Sequence, residues 1–571
     1  MRLAPVVLAA VCLLVLFTGL DRFGALDQRE ARDLQVAREL VSAGELLTPV
    51  LGDEPLFEKP LLAYAPDAVV RILSRSPLLR SRQFRACAAV LLIIVTASVG
   101  AEHFGARAAW FSGLVLATSL GLPLASRTDG TQLLATLFGW VGCAGLADAV
   151  FGRRAGLGLR LVVAYAALAT ALVCAGPLPA LWPLGGLALY AVLARAPEVW
   201  RRAHVGAGLV LMAGLALPWY GAMCERYGGT FLGRVPFFPY AIEARGPWYA
   251  GPVLMLSLLV VGFFPWSTLL PAAILHAATW WRAARPRIGG AAPGIGPSAA
   301  GRHPAAPDLP PSDPIRREQR EEGAAHFFIA SLLAGLVPIL VYPGPPLPAV
   351  LPALPAAALL CGRLLDHLNE NAERLAVPIG RATLMLSLFG SVGAVSFALV
   401  STRVPEAAKA FRSLGSLLLT TSWAPFLANF IGRRRLAAAL MALPVALGAP
   451  AMTVFVVPAM EGYLNVRDVA EAMTAVSPPH APLVLVDPPP SSLRLYTRRN
   501  LVDGSSLGPS LARFHATDGL TYVAFRPSRE HEVARAAPAP LEILIRTPSM
   551  VLARVRSGPG PVLGVNTQPH V

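Results

Sequence analysis

"REARDLQVARELVSAGELLTPVLGDEPLFEKPLLAY", residues 29 to 64, is a charged loop between two apolar runs, and its reading decides the fold. Among 49 basic residues only Lys59 and Lys409 are lysine, and Lys59 stands here between Glu58 and Pro60. In the first half of the loop Leu34, Ala37, Leu40 and Val41 share one helical face, with Arg29, Arg32, Asp33 and Arg38 elsewhere. That spacing predicts a helix lying flat at a membrane interface, apolar side in lipid and ended by Gly44. A Pro-containing connection leads to Phe57-Glu58-Lys59-Pro60, and "LLAYAPDAVVRIL" supplies a second, partly apolar surface segment. Glu30, Arg32, Glu58 and Lys59 are then expected at headgroup depth, where a compact ammonium can pair with a phosphodiester. The plainer alternative is a lysine that only snorkels.

The rest of the chain supports a membrane setting. With 55% hydrophobic and 15% charged residues and a mean hydropathy of +0.56, 571 residues are too apolar for a water-soluble protein. A net charge of +15 raises the question of nucleic acid, but the arginines sit mostly in short loops between apolar runs, as positive loops that anchor spans do. The six cysteines show no CxxC spacing, so neither disulfides nor a metal cluster is expected.

Runs long enough to cross a bilayer fall near 4–20, 84–104, 106–124, 131–152, 159–175, 178–195, 205–223, 249–279, 325–342, 346–363, 381–401, 410–431 and 435–460. The fold class expected is mostly α, a polytopic bundle of about thirteen spans. With Met1 inside and the first run a retained anchor, the clusters Arg153/Arg154/Arg160, Arg195/Arg201/Arg202, Arg282/Arg285/Arg287 and Arg433/Arg434/Arg435 all become cytoplasmic. The C-terminus is then periplasmic and the protein belongs in the inner membrane. The expected organisation is a membrane half over 1–282 that includes the external loop 21–83, a Pro/Gly-rich disordered linker over 283–323, a second membrane half over 324–460, and a small α/β domain over 461–571. In that tail "PLVLVD", "TYVAF", "LEILI" and "MVLARV" read as strands, "VRDVAEAMTAV" and "REHEVARAA" as helices, and "LRLYTRRN" as a strand with a basic edge.

The opening stretch resembles the first periplasmic loop of the C-type membrane glycosyltransferases related to the lipid A aminoarabinose transferase and the protein O-mannosyltransferases. Their pattern is an acidic pair, one residue, Arg, an "ARE" helix, Gly, Pro and "FEKPP". Further likeness is carried by "LPWY" (217–220), "RGPWYAGPVL" (245–254), "GFFPWSTLLP" (262–271) and "LPAVLPALPAAALL" (347–360). The resemblance implies transfer of a sugar from a polyprenyl-phosphate donor to a lipid, glycan or protein acceptor. It implies Lys59 with Glu58 on the donor phosphate, Glu30 and Arg32 lining the catalytic cavity, and Asp129 of "SRTDGTQ" as the second-loop carboxylate. Asp27 is an alternative base, because the family's first acidic position holds Arg29. Arg234, Glu243 and Arg245 are candidates for sugar or phosphate, and a divalent metal, if used, would fall to Glu58 and Glu30. As a plain structural role, Asp129 caps a helix.

Four of the family's polar positions differ. Besides Arg29, Ala175 replaces a lysine, the loop 231–248 has no histidine, and Ala349 stands at a tyrosine's place. An active glycosyltransferase is therefore weighed against a catalytically silent relative that binds polyprenyl phosphate or partners a membrane enzyme. A permease is disfavoured because charges cluster in loops rather than at the midplane.

Overall fold

The computed structural model describes residues 3–26, 29–44, 47–52, 54–152, 156–235, 250–278, 314–341, 347–368, 373, 375–476, 483–486, 491–497, 501–503, 520–537 and 540–556. They form two compact units: Met1–Leu20 with Glu39–Phe455, and Asp21–Arg38 with Val456–Val571.

The first unit is a polytopic helical bundle. Its helices are α1 (Ala4–Phe17), α2 (Glu30–Ala43, which crosses the division between units), α3 (Ala65–Leu73), α4 (Pro77–Phe104), α5 (Ala106–Ala117), α6 (Gly121–Thr128), α7 (Gly130–Phe151), α8 (Leu157–Ala175), α9 (Pro177–Leu193), α10 (Val205–Leu232), α11 (Ala250–Gly262) and α12 (Trp266–Ala278). They continue as α13 (Pro314–Val341), α14 (Leu347–His367), α15 (Ala376–Arg403), α16 (Ala408–Phe430) and α17 (Arg434–Ala459, whose last residues from Val456 belong to the second unit). Every apolar run expected to span meets a helix or a bent pair. Among the described residues seven helices are long and apolar enough to cross a bilayer, or nine if each of two bent pairs is one span, so this measure does not reproduce the count of thirteen.

The two bent pairs explain each other. The turn from α5 to α6 is 54° and that from α11 to α12 is 119°. A break inside a membrane frees backbone groups that lipid cannot satisfy. Here the Leu120 N–H donates to Phe264 O (3.0 Å), and the Trp266 indole N–H donates to the Thr118 hydroxyl (2.9 Å). The motif "GFFPWSTLLP" is the sequence of this paired break. α14 is buried along nearly all its length, whereas α15 exposes Leu384, Leu388, Val392, Val395 and Leu399 along one stripe, a surface suited to lipid and costly in water.

Three expectations change on contact with the structure. α2 forms where the period placed it, ended by Gly44 at φ 66°, but its apolar face is covered by protein rather than lipid. Leu34, Ala37 and Leu40 are buried, and so are Ala31, Asp33, Gln35 and Val36 from its other sides. Of the stretch read as linker, α13 already takes up the part from Pro314, and 283–313 lies outside the described residues. The 21–83 loop is divided, its part up to Arg38 grouping with the tail.

The second unit carries a mixed five-stranded sheet of β3 (Leu483–Leu485), β4 (Leu501–Asp503), β5 (Leu520–Phe525), β6 (Leu541–Arg546) and β7 (Val551–Arg556), in the order β4-β3-β5-β7-β6; β1 (Val50–Leu51) and β2 (Glu54–Pro55) form a small hairpin in the first unit. β3 runs parallel to β4 and β5, while β7 runs antiparallel to β5 and β6. "LRLYTRRN" is not a strand: Ser491–Thr497 is helical. Leu493 and Thr497, one turn apart, are both buried, and the Thr497 hydroxyl returns to Leu493 O (2.7 Å), so packing overrides strand propensity. Tyr496 of the same helix accepts the Ala25 N–H (2.6 Å), and Glu461 accepts that of Gly24 (2.9 Å), which ties the Asp21–Arg38 segment to the tail. A Cβ on Gly24 would meet Tyr496, Glu461 and Asn465, each within 3.0 Å.

Candidate functional site

The Phe57–Pro60 loop is fastened at several points before Lys59 is reached. Val50–Leu51 pairs antiparallel with Glu54–Pro55, and Gly52, at φ 63°, donates its N–H to the Glu39 carboxylate (2.7 Å). Trp219 donates to Leu47 O (3.1 Å), and the Tyr227 and Arg226 side chains both reach the Thr48 hydroxyl (3.3 and 3.4 Å). Phe57 then inserts edge-on between the Tyr227 and Phe231 rings of α10, at 5.0 and 5.7 Å between centroids. Such pairs contribute about 0.5–1.5 kcal/mol each beyond burial. Lys59 follows directly. It is 8% exposed, with Nζ 5.8 Å from the centre of the buried Tyr64 ring, so its ammonium is held within the protein and does not snorkel into bulk water. The turn Leu61–Ala63 after it packs on α7 and α8.

Asp129, 2% exposed, sits at the start of α7 and accepts the Gln132 N–H (3.0 Å), the cap the sequence suggested. Three buried arginines that the sequence reading missed lie on the neighbouring helices, Arg82 and Arg85 on α4 and Arg127 at the end of α6. Arg127 donates to Val15 O (2.9 Å), Thr18 O (3.2 Å) and Pro123 O (3.0 Å), and Arg82 to Leu20 O (2.8 Å). Two guanidiniums therefore satisfy the last carbonyls of the first span, which have no helical partner. Arg85 lies against Gly130, where a Cβ would stand 2.9 Å from its side chain. The available signal was Arg82 and Arg85 three apart at the head of an apolar helix, a costly placement unless the side chains turn inward.

A second polar layer joins the far ends of the same helices. Asp148 of α7 meets His103 (3.4 Å) and Arg160 (2.9 Å), Arg107 meets Asp366 (3.1 Å), and His276 Nε2 lies 3.0 Å from His367 Nδ1. Along α7 the two layers, Asp129 and Asp148, are separated by about 29 Å at 1.5 Å per residue, close to the thickness of the hydrocarbon core.

The expected site residues separate as follows. Glu58, Lys59 and Asp129 belong to the first unit, with Glu58 half-buried. Glu30 and Arg32 belong to the second; Glu30 is 1% exposed and its carboxylate accepts the Leu26 N–H (3.0 Å). Asp27, Glu243 and Arg245 lie outside the described residues, and Arg234 is exposed. Ala175 and Ala349 are both buried. Among the described residues no three His, Cys, Asp or Glu side chains are grouped to hold a metal. Neither Glu30 nor Glu58 belongs to such a group among the described residues.

No protein-family model and no curated protein sequence matches the chain. Among solved structures it is similar to ArnT from Cupriavidus metallidurans in the apo state, with 19% identity and a TM-score of 0.74 over 97% of this chain and 99% of that one. It is likewise similar to ArnT from the same organism bound to undecaprenyl phosphate, with 19% identity and a TM-score of 0.73 over the same shares. An oligosaccharyltransferase from Archaeoglobus fulgidus aligns more distantly, with 12% identity and a TM-score of 0.47 over 94% of this chain and 70% of that one. The chain therefore has the fold of ArnT, the C-type membrane glycosyltransferase fold.

Proposed function

We propose that this protein is a membrane glycosyltransferase that moves a sugar from a polyprenyl-phosphate donor to a lipid, glycan or protein acceptor at the periplasmic face of the inner membrane. The observation that carries the reading is Lys59: a buried ammonium on a loop fixed by Phe57, Thr48 and Gly52, in a fold shared with a protein that binds undecaprenyl phosphate. In the reaction an acceptor oxygen or nitrogen bonds to the anomeric carbon while the bond from that carbon to the phosphate oxygen breaks. The released phosphate monoester carries one more negative charge than the bound diester. A fixed cation already in place stabilises that charge without reorganising, and this is the role assigned to Lys59, with Glu58 orienting it. The acceptor proton passes to a carboxylate, for which Glu30 and Asp129 are the candidates and Asp27 the alternative; Arg32 and Arg245 are proposed to assist with the phosphate. Arg82 and Arg127 act as positioning residues that hold the end of the first span.

The test is turnover in lipid nanodiscs containing a polyprenyl-phosphate sugar, read as polyprenyl phosphate released. Lys59→Ala is expected to lower the rate by about 10²–10³ fold. A second reading, a silent binder of polyprenyl phosphate, is favoured by the apolar, buried Ala175 and Ala349. Binding that depends on Lys59, with no release of polyprenyl phosphate under any acceptor, would establish it and overturn the first.

A further inference from the structure

At the corner between α3 and α4 the surface opens into a groove of about 610 Å³ lined by Ser74, Arg75, Ser76, Arg80, Gln83 and Phe84 among others. No lining residue is acidic, and between Ala68 and Cys87 the sequence has five arginines and no Asp or Glu. Of these, Arg82 and Arg85 are buried, while Arg75 and Arg80 are exposed at the groove. Arg80 is steadied by Gln83 Oε1 (2.8 Å). The N-terminus of α4 opens here with no side-chain cap, adding backbone N–H groups and a partial positive charge on the same side.

Below the arginines the same face of α4 is apolar and exposed. Phe84 (39%), Leu91 (48%) and Ile94 (53%), with the exposed Cys87 between them, recur at spacings of three and four residues. From Phe84 to Ile94 this stripe runs about 15 Å, half of the roughly 30 Å hydrocarbon core and so the depth of one leaflet. α3 adds exposed Ile72 (66%) and Leu73 (79%) beside the groove. A cationic pocket at the head of a stripe one leaflet long is complementary to one kind of molecule.

We propose that this corner is a binding site for an anionic diacyl phospholipid, its phosphate between Arg75 and Arg80 and an acyl chain along Phe84, Cys87, Leu91 and Ile94. The site is separate from the loop that holds Lys59, and the proposal does not depend on the glycosyl-transfer reading. A bound lipid here would brace α3, which follows that loop in the chain.

Cys87 provides the probe, because Cys12, Cys143, Cys174 and Cys361 are buried and Cys224 is half-buried. The full-length protein with Cys224→Ser, carrying a fluorophore on Cys87, is placed in bilayers containing either brominated phosphatidylglycerol or brominated phosphatidylcholine. Two arginines at a headgroup, at about 1 kcal/mol each, are expected to make phosphatidylglycerol quench with a roughly thirtyfold higher relative affinity than phosphatidylcholine. Arg75→Gln with Arg80→Gln should bring that ratio close to one, with an unchanged size-exclusion profile as the folding check. A label on Ile94→Cys in a Cys87→Ser, Cys224→Ser background should report the same preference without occupying the groove. Equal quenching by the two lipids, or a preference that survives the double substitution, overturns the proposal. So does displacement of the brominated phosphatidylglycerol by a small mole fraction of undecaprenyl phosphate, which would assign the groove to a polyprenyl lipid.

Discussion

Replacing Arg127 with methionine tests whether buried arginines hold the end of the first span. In the folded protein Arg127 donates to Val15 O at 2.9 Å and Thr18 O at 3.2 Å, both across to α1 and its end. Hydrogen bonds from charged groups contribute about 1.5–3 kcal/mol each, so two bonds lost and two carbonyls stranded give a gross cost of about 3–6 kcal/mol. Removing a second buried cation beside Arg82 returns part of this, because a desolvated guanidinium is itself unfavourable. A net penalty of about 3 kcal/mol remains, a factor of about 150 in the equilibrium for opening α1. Cys12 lies in α1 and is 5% exposed, so its thiol reports that opening. In detergent micelles, with Cys87→Ser and Cys224→Ser as background, Arg127→Met should raise the rate of Cys12 alkylation by about 100-fold. Arg127→Lys, which keeps the charge but not the fork, should fall between. An increase below about threefold, with an unchanged unfolding midpoint, would refute the reasoning.

Phe57→Ala removes two edge-to-face contacts and is expected to loosen the Lys59 loop by about 2–4 kcal/mol; steady-state kinetics should show the Michaelis constant for the donor rising more than kcat falls. Trp266→Phe deletes the indole bond to Thr118 at the paired break, which should cost about 1–2 kcal/mol and lower the thermal midpoint in detergent. Gly24→Ala forces a methyl against Tyr496, Glu461 and Asn465 and should cost about 1–3 kcal/mol, read as faster limited proteolysis within residues 21–38.

The bundle was legible because a span leaves an unambiguous signature: each long apolar run meets a helix, whatever happens at its ends. The breaks between α5 and α6 and between α11 and α12 were not legible, since Thr118 and Leu120 lie far in sequence from Trp266 and Phe264 and become their partners only through packing. The inward arginines were missed for a related reason: in an arginine-rich membrane protein Arg82 and Arg127 look like loop charges until the carbonyls of Val15, Thr18 and Leu20 are placed beside them. Periodicity found α2 but not its surroundings, because an apolar stripe fits protein as well as lipid. For "LRLYTRRN" a strand was expected, and only the buried pair Leu493 and Thr497, one turn apart, shows the helix. At the site, the Phe57–Pro60 motif was visible and so was the Asp129 cap, whereas the aromatic seat on α10 that fixes Phe57 was not.

The central claim is that Lys59 binds the phosphate of a polyprenyl lipid. A cryo-electron microscopy structure of the protein in nanodiscs saturated with undecaprenyl phosphate tests it most directly. The account predicts phosphate density within about 3 Å of Lys59 Nζ, hydrogen-bond distance for a charged pair, and loss of that density in Lys59→Ala. Phosphate seated elsewhere with the Lys59 ammonium unoccupied, or density that persists in Lys59→Ala, would contradict it.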